Sequence, residues 1–453
     1  MKLLKHRIQS FSAVQIIFFA YLVGVIVCTA VLVLPVSHKQ GAELSAMDAF
    51  FVATSAISVT GLSTVNIVET FSMFGQMTLL LAIQFGGIGI MTLGTLLWVI
   101  LGQNVTLSQR RLLMIDQNQT HLSGLVRLLQ IIVKMVIFIE LSGTILFGFY
   151  FKWMGYFDGW MQSFYHAFFH TLSTYTNAGF DLFGDSLVGF YDDYVVQSVS
   201  MILIVLGSIG FPVLVELWHY VFGKTKHFRF SLFSKITFIC YTAIFAIGAI
   251  GVWVMERADY LRGQSWHSQL FFSLFNSVTA RSSGLATMDM AELGSGTQFF
   301  ISNLMFIGGS PSSTGGGIRT TTFAVLILTL ICVARSRKEV TAFGRTLKQE
   351  DVLKSFFVFA LGVFLVVCSA VAINAVDDDK FSLQAIIFEV TSAFGTCGLS
   401  LGITPDLSNF SKIMIIILMF IGRIGLLTLL NLFHKDKQRT LKVRYPEEKI
   451  IIG

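Results

Sequence analysis

Apolar positions along the chain gather into eight long stretches, at 14–34, 74–101, 125–151, 196–222, 230–255, 299–333, 352–371 and 413–433. A hydrocarbon core about 30 Å thick is crossed by about 20 helical residues, so each stretch predicts a membrane-spanning helix. Between each odd-numbered stretch and its successor lies a shorter apolar-aromatic segment, at 46–57, 160–175, 265–278 and 381–394, and each of these runs into a polar stretch. Segments of this length read as re-entrant rather than spanning. Non-helical backbone at membrane depth is tolerated only where it lines water or is buried in protein, which makes the four polar stretches candidate pore loops.

The polar stretches align on one glycine followed by Leu or Phe: Val59-Thr60-Gly61-Leu62, Asn177-Ala178-Gly179-Phe180, Ser282-Ser283-Gly284-Leu285 and Thr396-Cys397-Gly398-Leu399. The first glycine of the following long stretch comes 25, 28, 24 and 24 residues later, within the similar cores Phe85-Gly86-Gly87-Ile88-Gly89, Leu206-Gly207-Ser208-Ile209-Gly210, Ile307-Gly308-Gly309-Ser310 and Ile421-Gly422-Arg423-Ile424-Gly425. An internal repeat of this kind organises the whole chain. Its units are 1–110 with Gly61, 111–226 with Gly179, 227–345 with Gly284, and 346–453 with Gly398 and a C-terminal tail. The expected fold is an all-α integral membrane protein of four tandem helix–pore loop–helix repeats around one central pore. Stripping water from an alkali cation requires replacement oxygens, and a ring of backbone carbonyls supplies them without full charges that would trap the ion. Glycine permits the backbone angles that turn those carbonyls inward. Glycines in membrane helices also serve close packing, and one alone would be read that way; four in register after four short segments point to a pore.

Composition agrees: 54% of the residues are hydrophobic and 13% charged, and the mean hydropathy is +0.73. That excludes an ordinary soluble enzyme. Of 32 basic residues, 20 fall on one side of the expected topology and 6 on the other, so the positive-inside rule puts both termini in the cytoplasm. The net charge of +6 is thereby a matter of topology, and no nucleic-acid module is present. The opposite side carries many carboxylates, among them Asp185, Asp289 and Asp377; these either concentrate cations at a pore mouth or are plain solvated loop charge. Five cysteines without metal spacing read as small packing residues. His166 and His170, one helical turn apart, lack further ligands and read as packing groups.

On these residues the chain resembles the membrane subunit of a bacterial Ktr potassium-uptake system, of KtrB or KtrD type, in the Trk/Ktr/HKT superfamily. The resemblance runs from Gln15 to Gly453 and is most specific at 54–64, 177–180, 308–322, 420–425 and Arg444-Tyr445-Pro446. It implies a bacterial cytoplasmic membrane protein with one potassium filter per subunit, a homodimer, and a cytoplasmic nucleotide-binding ring of KtrA or KtrC type that regulates opening. Potassium is the ion implied, sodium the second candidate, and no organic cofactor belongs to this chain. Only the glycine is common to all four loops, so the ring is more heterogeneous than a fourfold TVGYG filter. Glycine in the first loop fits the potassium-type branch, where a serine is associated with greater sodium permeability.

The third repeat is interrupted by Gly308-Gly309-Ser310-Pro311-Ser312-Ser313-Thr314-Gly315-Gly316-Gly317. Proline removes a donor and each glycine costs a helix about 1 kcal/mol, so a regular helix cannot continue here. The stretch is expected to line the pore as a flexible loop, and the resemblance assigns this place to an intramembrane gating loop. A phosphate-binding loop is the competing reading, but GxxxxGK[ST] is missing. Three cations also lie at depth: Arg281, Arg319 and Arg423. Arg423 is expected to donate hydrogen bonds to the loop and to form a cation barrier with it, the alternative being a structural partner for Glu140 or Glu216. Arg281 and Glu389 are expected to brace the filter as a salt bridge. The cytoplasmic stretches 102–124, 334–354 and 434–453 are candidate docking sites for a regulatory partner or for lipid headgroups. A secondary transporter built on broken helices is the rival reading for the whole chain. A membrane enzyme lacks GxSxG, HExxH or a carboxylate pair.

Overall fold

The computed structural model describes residues 13–100, 105, 110, 112–114, 125–222, 229–337 and 339–433. Four long helices open the repeats: Ala13–Leu32, Leu125–Met154, Leu232–Glu256 and Gln349–Asp377. At 1.5 Å per residue the shortest, of 20 residues, reaches about 30 Å, the thickness of the hydrocarbon layer. Each is followed by a short helix, Ala46–Ser58, Trp160–Tyr175, Trp266–Thr279 and Leu383–Gly395. Three short helices begin at a serine, Ser45, Ser265 or Ser382, whose side chain accepts from the backbone N–H three residues on. This N-cap satisfies a donor that the helix cannot.

The second helix of each repeat was expected to be continuous except in the third, and here the structure differs. All four are broken: Met73–Ile88 with Ile90–Ile100, Tyr194–Ser208 with Phe211–Phe222, Ser295–Phe306 with Thr320–Ala334, and Asn409–Ile424 with Leu426–Phe433. Gly89, Gly210 and Gly425 sit at the breaks with φ of +100°, +99° and +89°. That conformation is incompatible with a continuing α-helix and is open to glycine at little cost. In the second repeat the two halves bend by 107°. The sequence pattern hid the breaks because apolar residues run through them, and one glycine in an apolar run reads as packing.

The repeats close on themselves. The second helix of the first repeat packs on the short helix of the second, that of the second on the third, that of the third on the fourth, and that of the fourth on the first. The short helices, rich in buried Thr and Ser such as Thr54, Ser55, Thr171, Ser173, Ser277, Thr391 and Ser392, occupy the centre. Large apolar side chains such as Val23, Val27, Phe138, Leu141, Ile145, Ile247, Ile250, Phe364 and Val367 face outward. Polar inside and apolar outside is the distribution for a chain solvated by lipid, and the protein is a multi-pass membrane protein. Of the candidate docking stretches, 339–347 holds a two-residue hairpin, Thr341–Ala342 with Arg345–Thr346, turned by Phe343 and Gly344 at positive φ. The tail 434–453 and most of 102–124 lie outside the described residues.

Candidate functional site

Each short helix ends three to five residues before its glycine, so four helix C-termini converge on one place. Their partial negative charge favours a cation there. The backbone N–H preceding each glycine turns back to its own short helix: Thr60 to Ser55 O at 2.9 Å, Ala178 to Ser173 O at 2.8 Å, Ser283 to Thr279 O at 3.0 Å and Cys397 to Ser392 O at 2.8 Å. Gly61 and Gly398 add N–H bonds to Ser55 Oγ at 3.1 Å and Ser392 Oγ at 3.0 Å.

All four glycines have positive φ, +97° at Gly61, +70° at Gly179, +72° at Gly284 and +97° at Gly398. They form one ring. A Cβ added at Gly61 would lie 2.6 Å from Ala178 O, and one at Gly179 2.6 Å from Ser283 O. At Gly284 it would collide with Cys397 O, and at Gly398 with Thr60 O, which closes the circle. The carbonyl preceding each glycine thus abuts the glycine of a neighbouring repeat. The ring is also rich in oxygen without a protein partner: Asn177 Oδ1, Ser282 Oγ, Ser283 Oγ and Thr396 Oγ1 are buried and accept no hydrogen bond. Orphaned buried oxygens are costly unless something else satisfies them, and a hard monovalent cation is the kind of group that does.

The interrupting loop lies against this ring. A Cβ at Gly315 would be 3.0 Å from Ser282 Cβ, and one at Gly316 would overlap the Thr396 side chain. Phe306 O accepts from Ile318 N at 3.2 Å and Gly309 O from Thr320 N at 3.2 Å, pinching the base of the loop. Its other backbone bonds go to the broken helix of the second repeat: Ser310 N donates to Ser208 O at 3.0 Å, Thr314 N to Gly207 O at 3.2 Å, and Phe211 N to Ser312 O at 2.8 Å. Two interrupted helices therefore satisfy each other's stranded backbone groups, as membrane depth requires.

The three deep arginines all grip loop carbonyls. Arg423 donates to Thr314 O, and on its other side to Gly86 O and, at 3.0 Å, Gly87 O, so the fourth repeat ties the loop to the first. Arg319 donates to Gly315 O. Arg281 donates to Gly308 O at 3.2 Å and Thr320 Oγ1 at 3.2 Å, one on each side of the loop base, and to Tyr241 O at 3.3 Å while its guanidinium lies 3.9 Å over the Tyr241 ring.

One sequence expectation is overturned and one is met. Arg281 and Glu389 do not pair: Glu389 accepts from Ser400 Oγ, from Leu401 N at 3.1 Å and from Thr404 Oγ1 at 3.0 Å, bracing the outer loop of the fourth repeat. Arg423 bonds the loop as expected, at Thr314 O, and the alternative of a carboxylate partner is excluded. Glu140 accepts from Gln84 at 2.9 and 2.8 Å, and Glu216 from Ser231 N at 3.1 Å. The partners that were not anticipated are Gly86 O and Gly87 O for Arg423, and Gly308 O and Tyr241 for Arg281; no residue type announces them, although Gly86, Gly207 and Gly422 share one position in the repeat. His170 Nε2 lies 3.0 Å from Ser200 Oγ and His166 stacks on Phe157 with centroids 4.1 Å apart.

This arrangement matches known proteins over nearly its full length. The profile of the TrkH family, described as cation transport protein, matches residues 9–441. Ktr system potassium uptake protein D of Bacillus subtilis is 46% identical over 446 residues, covering 98% of each chain. Ktr system potassium uptake protein B of the same organism is 34% identical, covering 98% of this chain and 97% of that one. The potassium/sodium uptake protein NtpJ of Enterococcus hirae is 32% identical and covers both chains fully. Among solved structures, the potassium transporter TrkH from Vibrio parahaemolyticus superposes with a TM-score of 0.73 over 94% of this chain and 86% of that one, at 18% identity, a likeness of fold. The chain is a membrane subunit of the Ktr/Trk superfamily and belongs to the TrkH cation transport family; it is a transporter, not an enzyme.

Proposed function

We propose that this chain is the ion-translocating subunit of a Ktr-type potassium uptake system, conducting the ion through the ring of Gly61, Gly179, Gly284 and Gly398. The observation that carries this reading is the closed circle of four glycines, each abutted by a neighbour's carbonyl. The residues at 59–61, 177–179, 282–284 and 396–398 form the selectivity filter. Carbonyls and orphaned side-chain oxygens replace the ion's hydration shell there, and the helix C-termini add a favourable field. The names of the relatives support potassium as the ion, with sodium second.

The loop 308–317 is the gate and Arg423 its lock. A guanidinium that holds Thr314 O and the carbonyls of Gly86 and Gly87 keeps the loop seated under the ring and sets a positive charge in the path of a cation. Opening is driven by a cytoplasmic nucleotide-binding ring, and the subunit works as a homodimer in a bacterial cytoplasmic membrane with both termini inside. The four repeats have the boundaries 1–110, 111–226, 227–345 and 346–453. Transport is sodium-dependent.

Potassium flux into proteoliposomes tests this reading. Arg423→Ala and a chain lacking residues 312–316 should both admit potassium faster than the parent without a regulatory partner; unchanged or lower flux in both removes the gate. The second reading, a symporter coupling potassium to sodium or protons, is favoured by the broken helices in every repeat. Saturable potassium movement strictly tied to a sodium gradient would establish it over the channel.

A further inference from the structure

We propose that Thr314 is a latch joining the loop to the second segment of the glycine ring through Asn177, so that discrimination between potassium and sodium depends on whether the loop is seated. The inference rests on the reading of the ring as filter and the loop as gate.

Every polar group of Thr314 is engaged. Its N–H and hydroxyl donate to Gly207 O at 3.2 and 3.1 Å, its carbonyl accepts from Arg423, and its Oγ1 accepts from Asn177 Nδ2 at 2.6 Å. Both Thr314 and Asn177 are fully buried. Asn177 stands two residues before Gly179, in the left-handed conformation with φ +59°. Its Oδ1 is already without a partner, so the bond to Thr314 is what holds its amide.

The four equivalent ring positions are not alike. Val59 carries no hydrogen-bonding side chain. Ser282 and Thr396 lie against Gly315 and Gly316, but their hydroxyls have no partner. Asn177 alone among the four donates to the loop. When the loop leaves, the Asn177 amide loses its acceptor in a buried site, where an unpaired polar group is costly. It then turns toward water or the ion path, and it takes with it the segment whose next carbonyl, Ala178 O, abuts Gly61. One filter segment thereby changes shape with the gate, which is a coupling between two places on one pathway.

The test measures potassium and sodium influx separately in proteoliposomes, using full-length protein that elutes as one species from size exclusion. Thr314→Val keeps the volume and removes the acceptor; Thr314→Ser retains it. Asn177→Ala breaks the same bond from the ring side and leaves the loop sequence intact, so it carries the test even if Thr314→Val fails to fold. Thr314→Val and Asn177→Ala should each lower the potassium-to-sodium flux ratio by about two- to tenfold, Thr314→Ser should restore it, and the double variant should be no worse than the worse single, the mark of one shared interaction. Raised flux with an unaltered ratio in both single variants, or additive losses in the double, overturns the latch. Arg423→Ala measured alongside separates the two levels: if it fails to raise flux, it is the gate reading that falls, whereas raised flux there with unaltered ratios in the Thr314 and Asn177 variants overturns the latch alone.

Discussion

The glycine ring and the loop beneath it are both irregular backbone at membrane depth, yet they are held in opposite ways. In the ring, each segment is tied to the short helix of its own repeat, with bonds such as Thr60 N to Ser55 O and Cys397 N to Ser392 O spanning five residues. The base of the loop is held within its own repeat, but its middle, 310–314, is held by groups from other repeats: Gly207, Ser208 and Asn177 of the second and Arg423 of the fourth. Local bonds form with their helix and persist with it. Bonds between distant elements can be exchanged for another set without unfolding either partner, which is what a two-state element requires. The difference suits the ring to a fixed geometry, except at the second segment where the Asn177 side chain reaches the loop, and it suits the loop to release.

That contrast can be broken at several points. Gly398→Ala has the largest expected effect: the side chain would enter a φ of +97°, cost about 1–2 kcal/mol in backbone strain and strike Thr60 O besides. Potassium flux in proteoliposomes should be lost, and wild-type flux would refute the ring. Arg423→Ala comes next and acts in the opposite direction. Removing charge-assisted bonds of about 1.5–3 kcal/mol each should unseat the loop and raise flux by about tenfold or more. Lys412→Met leaves Asp48, its partner at 3.0 Å where the fourth repeat meets the first, without a counter-charge. It should lower thermal stability in detergent by about 1–3 kcal/mol, less than a fully buried pair because both groups retain some exposure. Ser392→Ala removes the Oγ acceptor of Gly398 N and should loosen the ring by about 1 kcal/mol, read as a modest fall in the potassium-to-sodium ratio with the rate nearly kept. A gain in resting flux from Ser392→Ala would mean that ring and loop are not held separately.

Much of the ring was legible beforehand because its determinants are local. A helix that ends, a polar pair and a glycine with positive φ are written in consecutive residues, and fourfold recurrence distinguishes them from packing glycines. The loop was legible for the same reason, since Pro311 and five glycines within ten residues forbid a helix. The breaks at Gly89, Gly210 and Gly425 are not legible, because an apolar run says that a segment is buried or faces lipid and nothing about its continuity. The bond from Arg423 to the loop was legible because Gly422 and Gly308 hold equivalent repeat positions, whereas the partner of Arg281 was not. A carboxylate is the natural partner to expect with side chains in view, but Arg281 donates to the carbonyls of Gly308 and Tyr241 and to the Thr320 hydroxyl.

The sequence by itself therefore determined the membrane environment, the repeat and its register, the glycines of the ring and the stretch that cannot be helical. These follow from transfer free energy and backbone sterics, which act residue by residue. The tertiary structure decided which glycine neighbours which carbonyl, that the second helix of every repeat is broken, and that Arg281 and Arg319 join Arg423 on one loop. Such pairings join residues more than a hundred apart, as Arg423 and Thr314 are. They depend on how four repeats close into a ring, and no local property of either residue encodes that closure.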